Sequence, residues 1–230
     1  MKLLDILLIW DIDGTLINCK GVGRKAMNEA FFNMYGIESG FDAVSMAGRL
    51  DELIVKEAMS IHGVNNPNMN EFYEAYAAAL HSTMVLHQPH VLDGVKSILE
   101  ETMRSGKVLN TVGTGNCEIG AQLKLEFTGL KEYIRFGSYG SDHDERWALV
   151  QDVIRQAEDK EGLRFEKDRI FVIGDTPRDI VAGQKNNVKT IAVETGGYNR
   201  DELRTYEPDF ILPSLSNKNA FYRAIQLQNI

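Results

Sequence analysis

Short β-rich apolar runs, each bounded by Gly, Asp, Thr or Ser, recur along this chain at residues 4–10, 107–112, 134–136, 169–173 and 190–193. Helical periodicity fills most of the gaps between them. Apolar residues return at helical spacing in 94–105, 116–127, 145–158 and 177–186, and Pro177 suits the first turn of a helix. Strands that are apolar almost throughout need cover on both faces, and alternating strands with helices provides it. The pattern therefore predicts an α/β fold: a Rossmann-like parallel sheet flanked by helices, with 217–230 as a closing helix.

Between the first two strands that rhythm breaks. Residues 17–89 contain no convincing strand, but they carry helical patterns at 22–35, 51–62 and 70–86. Val22, Ala26, Met27, Ala30, Phe31 and Met34 make one apolar stripe. So long a detour inside a strand-to-strand connection is best explained as an inserted helical subdomain. The expected division is a catalytic core of residues 1–16 and 90–230 with a helical cap of 17–89.

At 230 residues the chain can bury a sizeable core, and its 43% hydrophobic and 25% charged residues are those of an ordinary globular protein. A net charge of −8 argues against a nucleic-acid surface, which needs a basic face. The apolar N-terminal run is interrupted by Asp5, has no small-residue cleavage site after it, and falls short of a membrane span. A cytoplasmic protein with no membrane partner is expected. Cys19 and Cys117, far apart in sequence, read as free thiols.

In open parallel sheets the reactive groups gather beyond the carboxyl ends of the strands. Reading just past each predicted strand gives Asp11-Ile12-Asp13-Gly14-Thr15, then Gly113-Thr114-Gly115-Asn116, then Gly174-Asp175-Thr176-Pro177-Arg178-Asp179. Four carboxylates and a hydroxyl thus converge on one crevice. Singly, Asp13-Gly14 and Asp175-Thr176 would serve as turns or helix caps. Jointly, four clustered carboxylates repel one another unless their pKa values rise or a cation sits among them. A hard divalent ion such as Mg²⁺, sharing oxygen ligands with a substrate phosphate, meets that need.

These segments resemble the haloacid-dehalogenase-like hydrolase superfamily. The Asp11–Thr15 run is similar to its first motif, Thr114-Gly115-Asn116 to its second and Gly174 through Asp179 to its fourth, while the insert resembles the helical cap of phosphoglycolate-phosphatase-like members. The resemblance implies that Asp11 is a nucleophile forming an aspartyl-phosphate and that Asp13 protonates the leaving group and then activates water. It implies further that Asp11, Asp175 and the main-chain carbonyl of Asp13 hold Mg²⁺, and that Asp179 stands behind the metal or a basic residue. Thr114, Gly115 and Asn116 would bind the substrate, Thr114 through its phosphoryl oxygens. The substrate implied is a small phosphorylated metabolite.

The third motif departs from the usual pattern, which places a lysine before the fourth strand. Residues 137–146 contain no lysine, and Arg146 is the best-placed cation, able to bridge carboxylate and phosphate through its planar fork. Lys124, Lys131 and Arg135 are weaker candidates. In the cap, Ala47-Gly48-Arg49-Leu50-Asp51 resembles a loop that reaches over the substrate in some capped phosphatases, which makes Arg49 the expected specificity residue. Asp51 also reads as a helix cap. His81, His87 and His90 are close in sequence but have no fourth ligand nearby for zinc. A sugar phosphomutase would share the core residues, and a non-catalytic ligand-binding relative would share the fold.

Overall fold

The computed structural model describes residues 4–65 and 67–227. Its strands are β1 (Ile6–Trp10), β2 (Ile17–Asn18), β3 (His90–Val91), β4 (Val108–Thr114), β5 (Gly137–Tyr139), β6 (Ile170–Gly174), β7 (Lys189–Val193) and β8 (Phe210–Leu212). The helices are α1 (Val22–Tyr35), α2 (Asp51–Ile61), α3 (Met69–His87), α4 (Val95–Ser105), α5 (Glu118–Phe127), α6 (Arg146–Glu161), α7 (Pro177–Lys185), α8 (Arg200–Arg204) and α9 (Lys218–Ala224). Six strands form one parallel sheet in the order β5-β4-β1-β6-β7-β8.

β1 lies between β4 and β6, and all five of its residues are fully buried. That position explains the unbroken apolar run: one face of β1 packs under Val95, Ile98, Leu125 and Phe221, and the other under Val150, Val153 and Ala182. Trp10 stacks on Phe221 at 5.4 Å. Its indole N–H donates to Asn110 Oδ1 at 3.1 Å, and Asn110 Nδ2 donates to Thr102 Oγ1 at 3.0 Å, so the polar residues inside this core are satisfied.

The helical insert leaves and rejoins the sheet through a short antiparallel ribbon in which Ile17 pairs with Val91 and Asn18 with His90. Its core is a separate apolar cluster centred on Phe31, Phe41 and Phe72, whose rings meet edge-on or tilted between α1 and α3. Asn68 caps α3 by accepting from the Glu71 N–H at 3.3 Å.

Two expectations shift. The strand expected at 134–136 forms three residues later, as β5, because this edge strand is set by its pairing with Val112–Thr114. The closing helix is shorter than expected, Lys218–Ala224, and residues 228–230 of that stretch lie outside the described residues.

Candidate active site

β1, β4 and β6 are neighbours, so their carboxyl ends deliver Asp11, Thr114 and Asp175 to one crevice. Past β1 the chain must turn at once. Gly14 does so at φ 81°, a conformation an L side chain rarely adopts, and a Cβ there would run into the Asp175 carboxylate. Thr15 Oγ1 donates to Asp175 Oδ1 at 3.2 Å, and Thr195 Oγ1 donates to the Gly14 carbonyl at 2.6 Å. Gly196 crowds the other side of Asp175, with no room for a Cβ.

Asp11 is buried. Its Oδ1 lies 3.1 Å from Arg146 Nη2. Burial raises its carboxyl to about 6, with Arg146 opposing and Asp179 and Asp13 adding to the rise. Asp175 is pushed well above the usual range by burial and by the Asp11 and Asp179 charges. Asp179 is the third helical residue of α7. Its Oδ2 accepts from the Thr176 N–H at 3.1 Å and hydroxyl at 2.7 Å, closing a capping box, while its Oδ1 accepts from Arg146 Nε at 2.9 Å and Nη2 at 2.5 Å. With both oxygens engaged, Asp179 restrains Arg146. Asp11 and Asp175 are left facing the crevice.

Asp13, half-buried, meets a different cation. Lys124 of α5, 2% exposed, places Nζ 2.6 Å from Asp13 Oδ2, 2.9 Å from Oδ1 and 2.6 Å from Asn116 Oδ1. Asn116 Nδ2 donates to Asp13 Oδ2 at 2.8 Å and to Thr114 Oγ1 at 2.9 Å. Burial works to raise the Asp13 carboxyl, but Lys124, Cys19 and Asn116 outweigh it and the net displacement is downward. The ammonium is in turn held charged by Asp13 against the effect of burial.

Sequence reasoning ranked Lys124 among the weaker cations; the structure puts it inside the site. Its signal was a lysine on the buried face of α5, between Ala121 and Leu125 at helical spacing. Lys131 and Arg135 lie elsewhere, paired with Glu126 and Glu161 at exposed positions. The Asn116 side chain, expected to bind substrate, is occupied by Asp13, Thr114 and Lys124. The Gly115 carbonyl accepts the Asp51 N–H at 2.7 Å, and a Cβ on Gly115 would meet the Arg49 carbonyl. Gly115 is thus the seat on which the insert's 46–51 loop rests.

That loop is fastened twice more. Asp51 Oδ2 accepts the Cys117 N–H at 2.8 Å, and Arg146 Nη1 donates to the Gly48 carbonyl at 3.2 Å. Arg49 lines the resulting cavity, with its guanidinium paired to Glu57 at 2.6 Å and donating to the Ser45 carbonyl at 3.0 Å. The cavity is about 340 Å³, bounded by Asp11, Asp13 and Asp175 below and by Met27, Ile54 and Tyr76 of the insert above.

Four strand-end carboxylates here face two cations, Arg146 and Lys124, so two negative charges remain unbalanced around Asp11 and Asp175. Carboxylate oxygens of Asp11, Asp175 and Asp179 come within 4.8 Å of one another, and burial, with that crowding added, raises the carboxyls of Asp11 and Asp175. One divalent cation bound by oxygen would balance the charge, so this residue set fits a metal.

The fold thus carries clustered carboxylates just past β1 and β6, with a helical insert after β1. The model of the haloacid dehalogenase-like hydrolases matches residues 8–193, and the chain belongs to that family. Among curated proteins it is similar to the pyrophosphatase PpaX of Listeria monocytogenes, 23% identical over 228 residues, covering 94% of this chain and 95% of the relative. PpaX of Anoxybacillus flavithermus is 26% identical over 219 residues, covering 91% and 93%. Among solved structures, a hydrolase from Pseudomonas syringae superposes with a TM-score of 0.70 at 20% identity, covering 96% of this chain and 99% of that one. CbbY from Rhodobacter sphaeroides, solved with phosphate, gives 0.70 at 16%, covering 93% and 96%.

Proposed function

We propose that this hydrolase is a Mg²⁺-dependent phosphatase that cleaves a small phosphorylated metabolite through an aspartyl-phosphate on Asp11. The observation that carries the reading is the pairing of two unlike carboxylates two residues apart. Asp11 is buried and restrained by Arg146, while Asp13 is half-buried and faces the same cavity. A restrained carboxylate suits in-line attack, and a partly open one suits proton transfer. Relatives that are pyrophosphatases, and a structural neighbour solved with phosphate, support phosphoryl chemistry. A cavity of about 340 Å³ supports a small substrate.

In the first step an Asp11 oxygen attacks phosphorus and the ester P–O bond breaks. Its electron pair leaves on the alcohol oxygen, which takes a proton from Asp13; because Lys124 holds that carboxyl low in the free site, the proton arrives with the substrate, bound as its monoanion. In the second step Asp13 removes a proton from water as that water attacks phosphorus; the P–O bond to Asp11 breaks and inorganic phosphate departs. Thr114 and Arg146 donate hydrogen bonds to the phosphoryl oxygens as charge develops. Asp11, Asp175 and the Asp13 main-chain carbonyl would hold Mg²⁺, whose charge neutralises the carboxylate cluster and the transferring group.

In this reading residues 17–89 are a cap over a core of 1–16 and 90–230, a division that the β2–β3 ribbon supports. Arg49 is assigned to the alcohol side of the substrate. Among the described residues no helix is long and apolar enough to cross a membrane. The free thiols Cys19 and Cys117 are in keeping with a cytoplasmic setting.

The test is phosphate release, with Mg²⁺, across sugar phosphates, phosphoglycolate, nucleotides and pyrophosphate. Release from at least one is expected. Isomerised sugar phosphate with no net phosphate would point to a mutase, and no turnover of any compound would leave a ligand-binding relative.

A further inference from the structure

Two separate cations serve this site, and the proposed chemistry has so far used one. Arg146 serves Asp11. Lys124 reaches across 111 residues of sequence to Asp13 alone among the four strand-end carboxylates, touching both of its oxygens. A buried lysine is uncommon, and one this enclosed needs its partners in good geometry to offset the loss of hydration. Here the partners close a ring. Lys124 binds Asp13 and Asn116, Asn116 binds Asp13, and Asn116 also donates to the Thr114 hydroxyl. Thr114 and Asn116 come from the end of β4 and Lys124 from the helix that follows, so one rigid β4–α5 unit grips the turn after β1.

We propose that Lys124 is a positioning residue: together with Asn116 it fixes the plane and direction of the Asp13 carboxylate, locking the acid–base group in register with the phosphoryl pocket at Thr114. The proposal rests on the phosphatase reading above and deepens it. Asp13 lies in the turn between β1 and β2 with its carboxylate half-exposed to the cavity, so the contacts of that carboxylate set its direction. Both carboxylate oxygens are held from the same side by the Lys124 ammonium, with Asn116 sharing one of them. Released from that grip, the carboxyl would sample rotamers that miss the leaving oxygen, and displacements of this kind cost rate out of proportion to their size.

The role has a signature that loss of fold does not. An alkyl phosphate needs its leaving oxygen protonated, whereas p-nitrophenolate departs readily without a proton. Lys124→Met removes the ammonium and keeps most of the stem. Its kcat/KM, which reports the steps up to alcohol departure, should fall by about 10² for an alkyl phosphate and by less than ~3-fold for p-nitrophenyl phosphate. KM for the alkyl ester should change little.

If Lys124→Met is too unstable to purify, the double variant Asp13→Asn with Lys124→Met removes both charges together and is compared with Asp13→Asn alone. Activities equal within about 2-fold are expected, because a residue acting through Asp13 has nothing left to position. Equal losses on both esters, or a further large loss in the Asp13→Asn background, would overturn the proposal while leaving the phosphatase reading in place. A parent protein that releases no phosphate from either ester, or from any sugar phosphate, phosphoglycolate, nucleotide or pyrophosphate, would overturn both.

Discussion

Arg146 Nη2 lies 3.1 Å from Asp11 Oδ1, so the residue that starts α6 rests on the carboxylate that follows β1. The same guanidinium is held by Asp179 through Nε and Nη2, an anchored fork with one arm on Asp11. In the proposed reading this arginine takes the part of the lysine in the third motif that the sequence resembles.

Removing it should therefore damage chemistry more than folding. Arg146→Ala is expected to lower kcat/KM by roughly 10²–10³, the scale for losing one preorganised charge-stabilising donor. Arg146→Lys should recover part of the loss, because the charge returns and the bidentate fork does not. Alanine at Lys131 or Arg135, whose exposed ion pairs lie away from the crevice, should leave kinetics near the parent's. Steady-state kinetics on the four variants decides it, and parental activity in Arg146→Ala would remove Arg146 from the site.

Much of this site was legible in the sequence because its parts lie at strand ends, where position along the chain fixes position in space. Asp11, Thr114 and Asp175 follow directly from the strand pattern, and Arg146 from being the cation at the start of the helix after the third strand end. Lys124 was not legible as an acid–base partner, since its contact with Asp13 depends on how α5 packs beside β1, and sequence spacing is silent on that. β8 escaped for a related reason: Phe210–Leu212 is a three-residue edge strand defined by pairing with Ile191–Val193 more than by composition. Asp51 was read as a cap for its own helix, whereas its carboxylate accepts the N–H of Cys117, the residue leading into α5.

Asp51 gives a pH-dependent stability. Burial raises its carboxyl to about 6, with Lys124 and the Cys117 N–H opposing. The folded state thus binds this proton more tightly than the unfolded chain, so the contribution to stability is fully present below about pH 4 and is lost as pH rises through 6. Asp51→Asn keeps the acceptor for Cys117 and removes the titration. The parent should lose stability relative to Asp51→Asn between pH 4.5 and 7.5 by a difference on the order of 1–3 kcal/mol. Urea unfolding at the two pH values measures it, and a parent that gains on the variant as pH rises contradicts it.

Asn110 tests the core beneath the site. Asn110→Ala strands the buried Trp10 indole N–H and takes a donor from the Thr102 hydroxyl, which still donates to the Ile98 carbonyl, and should cost about 1–3 kcal/mol of unfolding free energy. Trp10 immediately precedes Asp11, yet kcat should stay within about 3-fold of the parent in the folded variant, because β1 remains paired on both sides. Denaturant melts together with kinetics separate the two effects.

The unbalanced charge around Asp11 and Asp175 predicts a metal requirement that can be read without turnover. Mg²⁺ should raise the midpoint of thermal unfolding of the parent and do so much less for Asp175→Asn. Activity should vanish in excess chelator and return with Mg²⁺. Ca²⁺ should inhibit, because it accepts looser, higher coordination. Full activity in chelator would exclude the metal.

The central claim is that Asp11 carries the phosphoryl group. Acid quenching during turnover of an alkyl phosphate, followed by peptide mass spectrometry, reads this directly. One added phosphoryl group is expected on the peptide containing Asp11, mapped to that residue and absent from Asp11→Asn, which should be folded and inactive. Phosphate release with no modified peptide at any quench time, or a phosphoryl group on another residue, would contradict it.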